Sequence, residues 1–313
     1  MRTRLLFLLL LVTLNLHAQQ LPQPDHIVVV IEENKNFEDI IDPPNTPAAA
    51  SRAPYLNGLL PHAALLTKSY GLHHPSQPNY LELFSGSQQG ICNDTCPTTR
   101  SINAPNLAAS LIDAHKTQPA PDVFTGYAEH LPTQHDDCDI KPVYGRKHCP
   151  WMDFRNVPAS VTKDFSAFPT TTAGFDRLPR VAFVIPDLTH DMHNLKTGLF
   201  NTATEVREGS AWLQEHLDAY AQWAITHNSL LIITWDEDNA LPVFVKDDCE
   251  HPITTLPPHN RIATIILGAH VIPGSTSAMP VTHYNVLRTI EDMEGLSPIG
   301  ASCSTPPITG IWK

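Results

Sequence analysis

Four short polar clusters hold the side chains with which this chain could do chemistry: Glu32-Glu33-Asn34, His73-His74-Pro-Ser76-Gln-Pro-Asn79-Tyr80, Pro186-Asp187-Leu-Thr-His190-Asp191-Met-His193 and Asp236-Glu237-Asp238-Asn239. Carboxylate and amide oxygens are the ligands that hard divalent cations take. Three consecutive carboxylates repel one another, a cost that a bound cation relieves. A serine hydroxyl is a weak nucleophile near neutral pH and needs a metal or a base to activate it. Imidazoles change charge in the same pH range, so they can give a proton or offset negative charge. Taken singly, each cluster has an ordinary reading: Glu32–Asn34 as helix caps, Ser76 as a turn residue, His190 and His193 as loop residues. Together they are the ingredients of a metal-activated hydrolase.

The elements that must position these clusters follow from the apolar pattern. Runs of β-branched and other apolar residues at His26–Ile31, Ala64–Thr67, Val181–Ile185, Leu230–Trp235 and Ile262–Leu267 read as buried strands. Helical periodicity covers Asn106–Ala114, Glu208–Thr226 and Asn285–Glu294. Alternating strands and helices predict an α/β fold with a mostly parallel central sheet and helices on both faces. Ligands of such sheets bind beyond the carboxyl ends of the strands, where all four clusters fall. Residues 115–178 are rich in proline and aromatics with little periodicity, and read as an irregular, disulfide-stapled insertion; 239–260 have the same character.

The formal net charge of the 313-residue chain is −12, which excludes a nucleic-acid binder and an electrostatic membrane anchor, since both need a basic surface. Residues 1–18 read as a secretory signal: Arg2 and Arg4, an apolar core from Leu5 to Leu14, and Ala18 at the cleavage point. That core is too short to span a bilayer. The expected location is therefore periplasmic or secreted, with 19–313 forming a single domain. Cys92, Cys96, Cys138, Cys149, Cys249 and Cys303 make an even set, which in an exported chain suggests disulfides. Local pairs, Cys92–Cys96 and Cys138–Cys149, are the expectation.

The ordered motifs resemble the bacterial phosphoesterase family of acid phosphatases and phosphatidylcholine-type phospholipases C, within the alkaline phosphatase superfamily. The resemblance rests on His26-Ile-Val-Val-Val-Ile-Glu-Glu-Asn34 with Phe37, His74-Pro-Ser-Gln-Pro-Asn-Tyr-Leu81 with Ser85-Gly86, Pro186–His193, Thr234-Trp-Asp-Glu237, Asn260-Arg-Ile262, and Thr282-His-Tyr-Asn285 leading into Leu287-Arg-Thr-Ile290. It implies a divalent metal held by Glu33, Asn34, Ser76, Asp236 and Glu237, with Ser76 also the nucleophile. Asp187, His190, His193 and His283 fall where related superfamily enzymes hold a second metal, or where histidines meet the phosphoryl oxygens directly. The substrate implied is a small phosphate ester, and His190, His193 or His283 would protonate the leaving alcohol. Asn79, Asp187 and Asp191 join the substrate-binding set. His74 reads equally as a phosphoryl donor or as a support behind the ligands. The chain lacks room for the extra carboxyl-terminal domains of the larger phospholipases, which favours an acid phosphatase. A phospholipase C would need an aromatic headgroup cage, and Tyr127, Tyr144, Trp151 and Phe154 could form one, or could be the insertion's own core. A non-catalytic binding protein of the same fold is the reading from another class.

Overall fold

A computed structural model of the chain describes residues 21–134, 138, 143–193, 202–239 and 260–313. The expected leader and most of the 239–260 segment, Cys249 included, lie outside the described residues. In chain order the strands are β1 His26–Glu32, β2 Ala64–Leu66, β3 Ser69–Tyr70, β4 Phe124–Ala128, β5 Thr162–Asp164, β6 Val181–Ile185, β7 Ser229–Trp235, β8 Arg261–Ile262, β9 Thr264–Gly268, β10 Ser275–Ser277 and β11 Val281–Thr282. The helices are α1 Phe37–Ile40, α2 Pro54–Leu59, α3 Ser76–Ser85, α4 Leu107–Ala114, α5 Ala120–Val123, α6 Thr172–Phe175, α7 Thr202–Thr226 and α8 His283–Met293. None of the helices among the described residues is long and apolar enough to cross a membrane.

The main sheet runs β10-β2-β9-β7-β1-β6-β4-β5. β1 lies in its middle, parallel to both β6 and β7, in registers that pair Val30 with Val184 and Glu32 with Trp235. The carboxyl ends of these three strands are therefore level. β9 runs antiparallel to β7 and β2, so the sheet is mostly, not wholly, parallel. A small second sheet, β11-β3-β8, sits beside it.

The two-residue period of β1 divides the core. Ile27, Val29 and Ile31 join Tyr80, Leu81, Phe84, Leu111, Leu287 and Ile290 from α3, α4 and α8 on one face. Val28 and Val30 join Leu56, Leu213, Leu217 and Tyr220 from α2 and α7 on the other. Each fully buried leucine contributes roughly 1.5–3 kcal/mol. These two layers fix α3 and α7, whose amino-terminal ends border the polar rim.

Two expectations fail in the segment 115–178. It is not irregular throughout: it supplies β4 and β5, which extend the main sheet parallel to β6. β4 reads Phe-Thr-Gly-Tyr-Ala, and its Thr125 and Gly126 interrupt the apolar run that marks the other strands. The staple also differs, because Cys138 is bonded to Cys96. Cys92 is disulfide-bonded as well, so neither expected local pair exists. Cys149 is a free thiol packed wholly within the core. Tyr127, Tyr144, Trp151 and Phe154 are also buried core residues, which matches the reading of them as the segment's own core.

Candidate active site

Ser76 opens α3, immediately after Pro75, at the positive end of the helix. Its hydroxyl lies 3.2 Å from Asn34 Oδ1 and 3.5 Å from Glu237 Oε1. The turn before it is held by Asn79, one helical turn further on. Asn79 Oδ1 accepts from the backbone N–H of Leu72 and His73, and Nδ2 donates to the His73 carbonyl and, at 3.4 Å, to Glu237. Asn79 thus fixes the loop that delivers the serine, and its amide group is engaged with protein.

Beyond β1 the chain turns at Asn34, whose φ of 45° is left-handed, a conformation asparagine tolerates better than most residues. That turn places Glu33 and Asn34 together. Asn34 N–H donates to Asp236 Oδ1 at 2.9 Å, tying the ends of β1 and β7. The Asn34 side-chain oxygen lies 3.1–3.2 Å from both oxygens of the Asp236 carboxylate, oxygen against oxygen, and 3.2 Å from Ser76 Oγ. Rotating the amide would give three donor contacts there. In either orientation the Asn34 amide lies between Asp236 and Ser76 and joins the ends of β1, β7 and α3.

The buried carboxylates around this point interact strongly. Burial and the nearby charges of Glu33 and Glu237 push the Asp236 carboxyl well up. Burial likewise raises Glu237, to about 7, against the opposing effect of His74. Glu33 stays well below the ordinary range in spite of its burial, because His148, Lys147 and His193 surround it. His148 Nε2 is 2.7 Å from Glu33 Oε1, and its ring stacks on Tyr80 at 4.8 Å. Three mutually repelling carboxylates, an amide oxygen and a serine hydroxyl form an oxygen-rich donor set that fits a hard divalent cation.

The histidines separate into distinct roles. His283, the first residue of α8, is buried and donates Nε2–H to the Asp236 carbonyl at 2.7 Å. Burial pushes its pKa down to about 4. It braces the strand end that carries Asp236. His74 lies buried between Glu237 (2.9 Å) and Asp238 (3.3 Å); the two carboxylates raise it to about 10 even against burial. Of the two readings of His74, the geometry matches the supporting one. His193 is part-exposed, with Nδ1 3.3 Å from Glu33 and 3.2 Å from the Asn34 amide, and the Glu33 contact raises its pKa.

His190 belongs to a neighbouring cluster at the end of β6. Its Nδ1 lies 2.9 Å from Glu129 and 3.2 Å from Asp187, which together raise it to about 10. Glu129, Asp187 and His190 each bring a donor atom within 4.8 Å of the others, close enough to hold a cation. Their present contacts are nevertheless well matched: Asp187 also accepts from Thr189 N, Thr189 Oγ1 and His130, and Glu129 accepts from Trp212 Nε1. Asp191 is buried, accepts from His193 N–H, and passes its own carbonyl to Glu33 N–H. The whole 187–193 turn rests on α7 at Gly209, where a Cβ would meet Met192 at 2.4 Å and the His190 carbonyl at 2.8 Å.

The strand-end clusters therefore do converge, with Glu33, Asn34, Ser76, Asp236, Glu237 and His193 around one point. Sequence reasoning missed Glu129, Lys147 and His148. Glu129 directly follows β4, so recognising that strand would have exposed it by the same strand-end rule. His148 and Lys147 carry no local signal.

An open α/β sheet with a helix-borne serine facing carboxylates at its carboxyl edge defines a hydrolase of alkaline-phosphatase-like fold. Solved structures support the fold: an alkaline phosphatase superfamily protein from Vibrio parahaemolyticus superimposes with a TM-score of 0.58, at 11% identity, over 92% of this chain and 71% of that one. Residues 49–297 match the model of the phosphoesterase family, to which the chain belongs, and it is a phosphoester hydrolase. It is 38% identical to a phosphatidylinositol-3-phosphatase of Mycobacterium tuberculosis, over 95% of this chain and 86% of that protein. It is also 25% identical to an acid phosphatase of Aspergillus fumigatus, over 86% of this chain but only 54% of the fungal enzyme.

Proposed function

We propose that the protein is an exported, metal-dependent acid phosphatase that hydrolyses phosphomonoesters through a phosphoserine on Ser76. The observation that carries this reading is the gathering of the buried carboxylates Glu33, Asp236 and Glu237 around Asn34 and Ser76 at one rim of the sheet, an oxygen-rich set suited to a shared cation. Glu33, Asn34, Ser76, Asp236 and Glu237 would hold the ion. When bound, it would lower the pKa of the serine hydroxyl and offset phosphoryl charge. The remaining work falls to the chain itself. Glu237 lies 3.5 Å from the Ser76 hydroxyl, the α3 amino terminus favours negative charge at that oxygen, and Asn79 holds both in place. His193, part-exposed beside Glu33, is the donor placed to protonate the departing alcohol. Water then releases phosphate from the serine.

Names of relatives support a monoesterase, and the Mycobacterium enzyme suggests a phosphoinositide 3-phosphate as one ester to include. The burial of the four candidate cage aromatics removes the observation that favoured a choline phospholipase C. The test is turnover of a panel of phosphomonoesters, phosphoinositides and phosphatidylcholine from pH 4 to 9, with and without chelator. Chelator-sensitive monoester hydrolysis with an acidic optimum is expected. Undiminished turnover after metal removal, or preference for phosphatidylcholine, would contradict the proposal.

A further inference from the structure

The chain is acidic overall, and the candidate site adds buried carboxylates at Glu32, Glu33, Asp191, Asp236 and Glu237. A phosphomonoester dianion must approach this field, so some side chain beyond the metal shell has to meet its charge. Of the lysine and arginine side chains near the site among the described residues, Lys35 and Arg146 are committed to buried partners. Lys35 is buried, with Nζ 3.0 Å from Glu205 and 3.1 Å from the Asn34 carbonyl. Arg146 is buried against Asp153 and the Pro97 carbonyl. Lys147 is one-fifth exposed and pairs with Asp94, at 2.5 Å.

The placement of that pair is informative. Asp94 Oδ2 takes Lys147, while Asp94 Oδ1 accepts the backbone N–H of Gln77 at 3.1 Å. Gln77 is the residue after Ser76, in the first turn of α3. One carboxylate thus bridges a lysine and a helix-terminal amide next to the nucleophile, as two oxygens of a phosphoryl group would. The lysine also lies in the field of the metal shell, since Glu33 and Asp236 both stabilise its charge.

We propose that Lys147 binds the phosphoryl group of the substrate, with Asp94 standing in that group's place when the site is empty. This rests on the phosphatase reading of the same site. The surroundings hold the lysine in position. Arg146, Lys147 and His148 form one tight turn. Arg146 ties it to Pro97 and Asp153, His148 ties it to Glu33 and Tyr80, and the Cys96–Cys138 bond anchors the loop that carries Asp94. A dianion that carries more charge than one carboxylate would displace Asp94 and keep both donors.

The experiment is calorimetric binding of inorganic phosphate to the metal-loaded protein, beside steady-state hydrolysis of an aryl phosphate. It compares wild type with Lys147→Met, Lys147→Arg and Asp94→Asn, with metal content and circular dichroism measured for each. Lys147→Met should weaken phosphate binding and lower kcat/KM about 10- to 100-fold, the scale of one charge-assisted hydrogen bond. Lys147→Arg should recover most of the loss, and Asp94→Asn should bind phosphate more tightly than wild type. If wild type hydrolyses the ester and folded, metal-replete Lys147→Met binds phosphate within twofold of wild type, the assignment of Lys147 is wrong. If wild type hydrolyses no ester yet phosphate binding still depends on Lys147, the phosphatase reading fails and the anion site stands.

Discussion

At the scale of single residues, the account separates groups that meet the substrate from groups that hold them. Ser76→Ala should reduce kcat at least ~10³-fold with an unchanged circular dichroism spectrum, the scale expected on losing a covalent nucleophile. A folded mutant with more than a few per cent of activity would remove Ser76 from that role. His193 and His283 should behave differently. His193 is part-exposed and touches Glu33, so activity should fall as pH rises and its proton is lost, and His193→Gln should abolish or move that basic limb. His283 is already neutral in its buried place against the Asp236 carbonyl. His283→Gln should therefore lower thermal stability and metal affinity while the limb stays where it was. A pH profile of kcat/KM for both variants decides between them.

At the scale of elements, the long β-branched strands and the amphipathic α7 were legible because their patterns are local. The site residues they carry were legible for the same reason, through the strand-end rule. β4 was hidden by Thr125 and Gly126, and with it Glu129. Lys147 and His148 could not be read at all, because their contacts to Asp94 and Glu33 join distant parts of the chain. The disulfide was misassigned for a related reason: nearness in sequence favoured Cys138–Cys149, whereas folding carries Cys149 into the core and Cys138 to Cys96, 42 residues away. By the loop-entropy argument that bond contributes about 4 kcal/mol, so Cys96→Ser should lower the unfolding free energy by several kcal/mol and loosen the Asp94–Lys147 pair. Denaturant unfolding measures the first effect and phosphate affinity the second.

A further element carries its own pH dependence. Glu291 of α8 is buried where it accepts from Ile299 N–H and Ser302 Oγ, clamping the segment that follows the helix. Burial raises its pKa to about 7. A carboxyl raised on folding contributes stability that is complete below its unfolded value near 4.5 and is lost as pH rises through the folded value. Wild-type Tm should therefore fall between pH 5 and pH 8 by an amount reflecting roughly 2 kcal/mol, and Glu291→Gln should flatten that fall. An equal slope in the mutant would show that other groups dominate.

At the scale of the whole molecule, the fold brings four sequence-distant clusters to one edge because β1, β6 and β7 are parallel and level, and the two apolar layers hold α3 and α7 around that edge. The result is a serine at a helix terminus, facing carboxylates that repel one another unless a cation joins them. The central claim is that Ser76 takes the phosphoryl group with that cation in place. Acid quenching of metal-loaded enzyme turning over a radiolabelled phosphomonoester, followed by peptide mapping, tests it most directly. The account predicts label on the peptide that contains Ser76, absent from Ser76→Ala and absent after chelation. Full turnover with no label on protein, or label on a histidine, would contradict it.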